Sequence, residues 1–181
     1  MKTYVALLRG INVSGQKPIR MTDLQRSCER LGLDNVRTYL QSGNIVFSAD
    51  GAPLVKLAAT LRARVARDFG HDLEILVLAA SELARIAQSN PLRPRSVDDQ
   101  KFYHATFLFG AVAVSRFKGL ALPARPGEKA VLVRQVIFLH CPHGYGTTKL
   151  NNGYFEKALG VAATTRNWRT VVALRDLCTM P

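Results

Sequence analysis

Apolar and polar positions in this chain switch between a period of two and a period of three to four. Residues 3–8 form a short apolar run closed by Arg9-Gly10, which predicts a strand. A polar loop over residues 12–20 holds Gly15 and Pro18. Leu24, Cys28 and Leu31 then fall on one helical stripe. Thr22 with Gln25 makes a capping box ahead of it, and Gly32 is placed to follow the helix. Val36, Thr38 and Leu40 alternate with Arg37, Tyr39 and Gln41; after the turn residues Ser42-Gly43-Asn44, Ile45-Val46-Phe47 returns, which predicts a hairpin. Pro53 suits the first turn of a helix running to about Phe69 and Gly70, with Leu54, Leu57, Leu61 and Val65 as its apolar stripe. Residues 73–78 predict a strand, and Ser81 caps a short helix that stops before Asn90-Pro91.

The order strand–helix–strand–strand–helix–strand is the split βαβ, or ferredoxin-like, unit. Residues 90–99, with Pro91, Arg93, Pro94, Arg95, Asp98 and Asp99, read as a linker. Residues 101–109 are apolar and aromatic on both alternating faces (Phe102, Tyr103, Phe107, Phe109), as in a buried central strand. A helix over 111–120 follows, closed by Pro123-Ala124-Arg125-Pro126-Gly127. Next comes a hairpin of 130–133 and 136–140 whose Arg134-Gln135 turn lacks glycine. Helices over 151–159, ending at Gly160, and over 167–177 complete the chain. The second half thus repeats the first, with a helix where the last strand would be. The expected fold class is α+β: two ferredoxin-like (split βαβ) pseudo-repeats with antiparallel sheets, residues 1–90 and 91–181, the second with C-terminal helices. The repetition is one of element order; no residue-level repeat is visible.

Composition narrows the classes. With 48% hydrophobic residues in 181, the chain is not generally disordered. No apolar run approaches the ~20 residues of a membrane span, so no membrane partner is expected. The first apolar stretch is too short for a signal peptide and is interrupted by Arg9. Cys28, Cys141 and Cys178 are odd in number and widely spaced, as in a reduced, cytoplasmic protein. The 25 Lys+Arg against 13 Asp+Glu give +12, of which residues 1–90 carry +4 and residues 91–181 carry +8. Seventeen of the 25 cations are Arg, whose planar fork suits phosphate and carboxylate. A solvated basic surface explains the same excess. There is no run of five like charges, hence no basic tail.

Four polar segments are candidates for chemistry. Arg9-Gly10-Ile11-Asn12-Val13-Ser14-Gly15 follows a strand, and its glycines would let backbone amides approach an anion. No helix follows at once, and neither the dinucleotide nor the Walker fingerprint is met, so a plain connecting loop competes with that reading. Arg37, Tyr39 and Gln41 share a strand face beside Ser42, Gly43 and Asn44; a solvated sheet face is the alternative. Residues 42–47 bear a loose likeness to the aromatic strand of RNA-recognition modules, with Phe47 nearly alone as the aromatic. Gly144-Tyr145-Gly146-Thr147-Thr148-Lys149 brings glycines, hydroxyls and a lysine to a helix start, suited to a phosphate or simply to a capped loop. In Thr164-Thr165-Arg166-Asn167-Trp168-Arg169-Thr170, Asn167 is a good N-cap and Trp168 is core or a cover over the site. Arg166 and Arg169 sit against a helix N-terminus that disfavours cations, which suggests an anionic partner nearby. His140-Cys141-Pro142-His143 has metal-ligand residue types but no second pair at a fitting spacing, so no metal is expected. Neither Cys141 nor the histidines form a nucleophile or triad arrangement.

Taken together, Leu7-Leu8-Arg9-Gly10-Ile11-Asn12-Val13, Val36 to Asn44, Thr148-Lys149-Leu150 and Thr165 to Thr170 resemble the bacterial family called domain of unknown function 1697, in motif order along the full length. Ser14 stands where that family tends to have glycine, and Thr148 where it tends to have serine. The missing hairpin glycine near Arg134 is a third departure. The resemblance implies an α+β fold with ferredoxin-like repeats and no established activity, substrate or cofactor. Arg9, Asn12, Arg37, Tyr39, Ser42, Asn44, Lys149, Arg166 and Asn167 are expected to converge on one polar, cationic site between the two halves. That site would bind a phosphorylated ligand, nucleic acid or nucleotide. One alternative is a small enzyme acting on a phosphate- or carboxylate-bearing metabolite, with Asn, Arg, Lys and Ser as electrostatic stabilisers. Against it, the motifs contain no Asp, Glu or His. The other alternative is a non-catalytic interaction protein whose motif side chains only tie loops together. Oligomeric state is left open.

Overall fold

The computed structural model describes residues 1–13 and 15–180; Ser14 of the first motif lies outside the described residues. The chain divides into two compact units, Met1–Arg85 with the C-terminal stretch from Ala173, and Ile86–Val172. Each is built as an α+β repeat.

In the first unit the order is β1 (Lys2–Leu8), α1 (Met21–Glu29), β2 (Asp34–Tyr39), β3 (Asn44–Ala49), α2 (Leu54–Phe69) and β4 (Ile75–Ala79), followed by α3 (Ala80–Gln88). The sheet order is β2-β3-β1-β4, with β1 antiparallel to both neighbours. Alternation sends Tyr4, Ala6, Leu8, Ile45 and Phe47 to the helix side, where they pack on Leu24 and Cys28 of α1 and Leu57, Leu61 and Val65 of α2. The two helices are clamped by Asp68, which accepts from Ser27 Oγ and Arg64 Nε at 2.6 Å each. The Ser27 hydroxyl leads in holding the Asp68 carboxyl down to about 2; burial works against it, and the Arg64 and Arg67 guanidiniums assist.

The Thr22–Gln25 capping box does not form. Helix α1 begins at Met21 behind Arg20, which makes no side-chain cap, and Gln25 instead donates to Glu29. Burial of Ile19 and Met21 sets where the helix starts, so packing overrides the local cap signal. Phe47 is fully buried and stacks on Tyr4 at 5.7 Å, inside the helix-side core. It is therefore unavailable to a base, and the likeness of residues 42–47 to RNA-recognition strands fails for this sheet.

In the second unit a short 3-10 turn (Asp98–Phe102) leads into β5 (Tyr103–Leu108), α4 (Val114–Lys118), β6 (Lys129–Val133), β7 (Val136–His140), α5 (Asn152–Leu159), β8 (Ala163–Asn167) and α6 (Trp168–Leu177). Its sheet order, β6-β7-β5-β8, places the last strand at the same edge as in the first unit. The expected helix in place of the last strand is corrected: residues 163–167 pair antiparallel with β5, His104 opposite Asn167 and Leu108 opposite Ala163. Thr164, Thr165 and Arg166 hide this strand from an apolar count, although threonine favours a strand backbone. The same pairing moves Arg166 off the helix N-terminus proposed for it and into a sheet. Asn167 does cap α6, its Oδ1 accepting from Arg169 N at 3.0 Å. The helix expected over 111–120 shrinks to Val114–Lys118. The β6–β7 hairpin turns without glycine because Arg134 takes a left-handed φ of 54°. Leu108, Leu132, Ile137, Leu139, Phe155 and Leu159 form the core on the side of α4 and α5. Among the described residues, no helix is long and apolar enough to cross a membrane.

Candidate functional site

The first motif folds into a self-tied loop. Asn12, with a left-handed φ of 52°, accepts from Ile19 N at 2.8 Å and donates to Ile19 O at 3.0 Å and to Gln41 O at 2.7 Å. Its amide therefore staples the loop to the β2–β3 turn. Arg9 reaches Glu74 at 3.4 Å, with both side chains about two-fifths exposed. In the hairpin, Asn44 is fully buried and donates to Tyr39 O at 2.8 Å and to Ser42 Oγ at 2.9 Å. Asn12, Ser42 and Asn44 are thus brought together as mutual supports of two adjoining loops.

Arg37 has a different position. Cross-strand pairing sets it opposite Val46 and Tyr39 opposite Asn44, on the face of the sheet away from α1 and α2. An extra residue in β2 between Asp34 and Arg37, with Asn35 at φ 50°, bends this edge strand. Beside the bend lies a cavity of about 130 Å3, lined by Thr3, Asn35, Arg37 and Ser48 and, from the C-terminal stretch, Leu177, Cys178 and Met180. Asn35 Nδ2 donates to Ser48 Oγ over a long 3.4 Å, so both groups keep bonding capacity for a guest. Burial pushes the Cys178 thiol up to about 11, which keeps it protonated near neutrality.

In the second unit, the Gly144–Lys149 segment is organised by an internal anion. Glu128 has no exposed side-chain surface, accepts from Arg125 N at 2.8 Å, and is approached by the Arg125 guanidinium at 3.2 Å. Burial raises its carboxyl, but the Arg125 backbone N–H, the Thr148 hydroxyl and the Arg125 side chain outweigh this and hold it below the ordinary glutamate range. Arg125 also donates to Thr147 Oγ1 at 2.8 Å. At the start of α5 the first-turn amide of Tyr154 is satisfied by Asn151 Oδ1 at 3.1 Å. Of the residues proposed here, Lys149 alone is a site candidate, and it stands exposed. Burial raises the neighbouring Cys141 thiol to about 11, with Glu128 adding to the effect.

On β8, Arg166 is buried and donates to Thr164 Oγ1 at 2.7 Å and Thr165 O at 3.0 Å; burial lowers its guanidinium to about 10. Asn167 Nδ2 donates to Lys101 O at 3.0 Å and approaches His104 Nε2 at 3.2 Å. His104 is almost fully buried and stacks on Tyr145 at 4.6 Å, and its Nδ1 has no hydrogen-bond partner among the described residues. Burial lowers this imidazole to about 4, with the Phe102 backbone acting the other way.

Sequence reasoning missed Thr3, Asn35, Ser48 and Cys178 as cavity neighbours, and missed His104 and Glu128 as buried titratable groups. Only the Asp34–Arg37 irregularity, an Asp-Asn pair early in a strand, offered a signal for any of them. Among the described residues, no group of three or more His, Cys, Asp or Glu is placed to hold a metal ion.

Comparison with known proteins agrees with this architecture. The solved structure of a conserved bacterial protein from Streptococcus pneumoniae superposes with a TM-score of 0.76, covering 98% of this chain and 99% of that one at 21% identity. A likeness at that identity speaks for the fold. No curated protein matches the sequence. The family pattern described as protein of unknown function (DUF1697) matches residues 1–138, which includes the Arg9–Val13 and Val36–Asn44 motifs and ends before those around Lys149 and Arg166. With three quarters of its length matched, the chain belongs to the family of proteins of unknown function known as DUF1697.

Proposed function

We propose that the protein binds a phosphate-bearing ligand, a nucleotide or the phosphate of a nucleic acid, with Arg37 as the anchoring cation. The observation that carries this reading is the cavity beside the bent edge strand. A guanidinium, a carboxamide and two hydroxyls border one space of about 130 Å3. Those are the donors a tetrahedral oxyanion takes up, and the guanidinium adds charge to its hydrogen bonds. The volume is below the roughly 300 Å3 at which small-molecule pockets begin, so one anionic group enters and the rest of the ligand stays outside.

Binding is preferred over catalysis because the cavity lining named above includes neither carboxylate nor imidazole, and its thiol is held protonated. Arg9, solvent-accessible in the same unit, serves in this reading to steer the anion rather than to hold it, and Lys149 is an exposed cation of the other unit. Asn12, Ser42, Asn44 and Asn167 hold loops, Tyr39 continues the strand face beside Arg37, and Arg166 is a buried support.

Thermal-shift and salt-titration measurements with inorganic phosphate, mononucleotides and short RNA and DNA strands test this. Stabilisation by phosphate or a mononucleotide is expected, with affinity falling as salt rises and about tenfold or more lost in Arg37→Gln, in line with a charged hydrogen bond. The reading fails if none of these ligands binds at low salt, or if Arg37→Gln binds as the wild type does.

A further inference from the structure

We propose that the second unit binds single-stranded nucleic acid at one end of its sheet, by stacking a base against the Tyr103–His140 ring pair. It shares the phosphate chemistry of the reading above but stands on other residues in the other unit. The strands β7 and β5 are the two central strands of the sheet β6-β7-β5-β8. Leu108 and Leu139 turn to the core shared with α4 and α5, so alternation turns Tyr103 and His140 to the opposite face. These two residues are directly paired across β5 and β7, and their rings stack at 4.5 Å with 26° between planes. Both are only partly buried. Lys129 stands directly opposite His140 on β6 and is exposed, so a cation and two rings run in one row across the sheet.

Two aromatic groups paired at one end of the central strands, beside an exposed cation, offer a surface on which an unpaired base stacks while the backbone lies along positive charge. Further along the same face Ala105, Phe107, Val136 and Phe138 are buried, Phe138 under Trp168 in an edge contact at 5.9 Å, so only the Tyr103–His140 end of the face is open. Lys101, two residues before Tyr103, lies 4.9 Å from the Phe102 ring and adds a second exposed cation. The acids nearest in sequence are Asp98, Asp99 and Glu128; Asp98 lies 3.9 Å from Arg169, and Glu128 is buried against Arg125. The background favours a polyanion, since residues 86–172 hold 12 Lys or Arg against 4 Asp or Glu. A stacked cross-strand pair also steadies a hairpin, but that role requires neither partial exposure nor an aligned lysine.

Fluorescence anisotropy with a labelled uridine strand and a duplex of equal length tests the proposal on the full chain. The strand is expected to bind more tightly than the duplex. Tyr103→Ala and His140→Ala should each weaken binding by about tenfold, whereas Tyr103→Phe keeps the ring and stays near wild type. Lys129→Ala, an exposed change that leaves the fold intact, should lower the salt slope by about one. Equal binding of strand and duplex, wild-type binding by both ring variants, or no strand binding at low salt overturns the proposal. Arg37→Gln separates the two readings. If it abolishes strand binding while Tyr103→Ala does not, the stacking surface is wrong and the phosphate cavity stands. If it abolishes only mononucleotide binding, both stand.

Discussion

The amide of Asn167 has its oxygen committed to Arg169 N and its nitrogen to Lys101 O, so the N–H it turns toward His104 requires an acceptor there. Nε2 of His104 must therefore be bare, and the neutral ring carries its proton on the buried Nδ1. Protonating Nε2 would set two donors against each other, a further cost on top of burial. The folded imidazole titrates near 4 and the unfolded one near 6.5. The unfolded chain therefore takes up the proton first, and stability drains as pH falls from about 6.5 to about 4, by up to about 3 kcal/mol. Urea melts at pH 7 and pH 4.5 measure this, and His104→Gln should flatten the difference. None of it is legible in the sequence, where His104 is one histidine on an apolar strand. Its tautomer depends on a residue 63 positions away.

At the scale of elements, the β2–β3 hairpin shows what its turn residues accomplish. Gly43 sits at φ 73°, and a Cβ there would lie 2.7 Å from Ile11 Cδ1 and 2.8 Å from Leu8 Cβ, both in the core. Its carbonyl also accepts from Leu8 N at 2.9 Å. Gly43→Ala combines a left-handed backbone with overpacking and should cost about 3 kcal/mol in chemical denaturation. Gly32→Ala provides the control: φ is 77° but nothing lies within 4 Å, so only the backbone cost of about 1 kcal/mol is expected. The turn chemistry of Ser42-Gly43-Asn44 was legible because such residues are local signals. The strand β8 was not, because its side chains are polar. Thr165 bonds Thr106 and Asn152 at 2.7 Å each, partners assembled by the fold. A strand whose side chains satisfy each other internally leaves no period-two apolar trace.

For the molecule as a whole, +12 on 181 residues means self-repulsion in the compact state. Raising sodium chloride from about 20 mM to about 300 mM, in buffer free of phosphate, should raise Tm by a few degrees as the Debye length shrinks. A falling Tm would show instead that surface pairs such as Arg9–Glu74 outweigh the repulsion. In the second unit Glu128 is buried against Arg125 and offsets that cation, so the unit's positive excess stays as its composition gives it.

The sequence by itself determined the order of strands and helices in the first unit and, short of its last strand, in the second, together with the hairpin of Val36 to Phe47 and the cationic balance. Those follow from periodicity, turn chemistry and formal charge, which act over a few residues. Tertiary structure decided that residues 163–167 are a strand, that Asn12 and Asn44 are loop staples, and that Arg37 borders a cavity with residues from the far end of the chain. It also aligned Lys129, His140 and Tyr103 in one row. Such placements depend on strand register and on contacts between distant segments, and neither is written in local spacing.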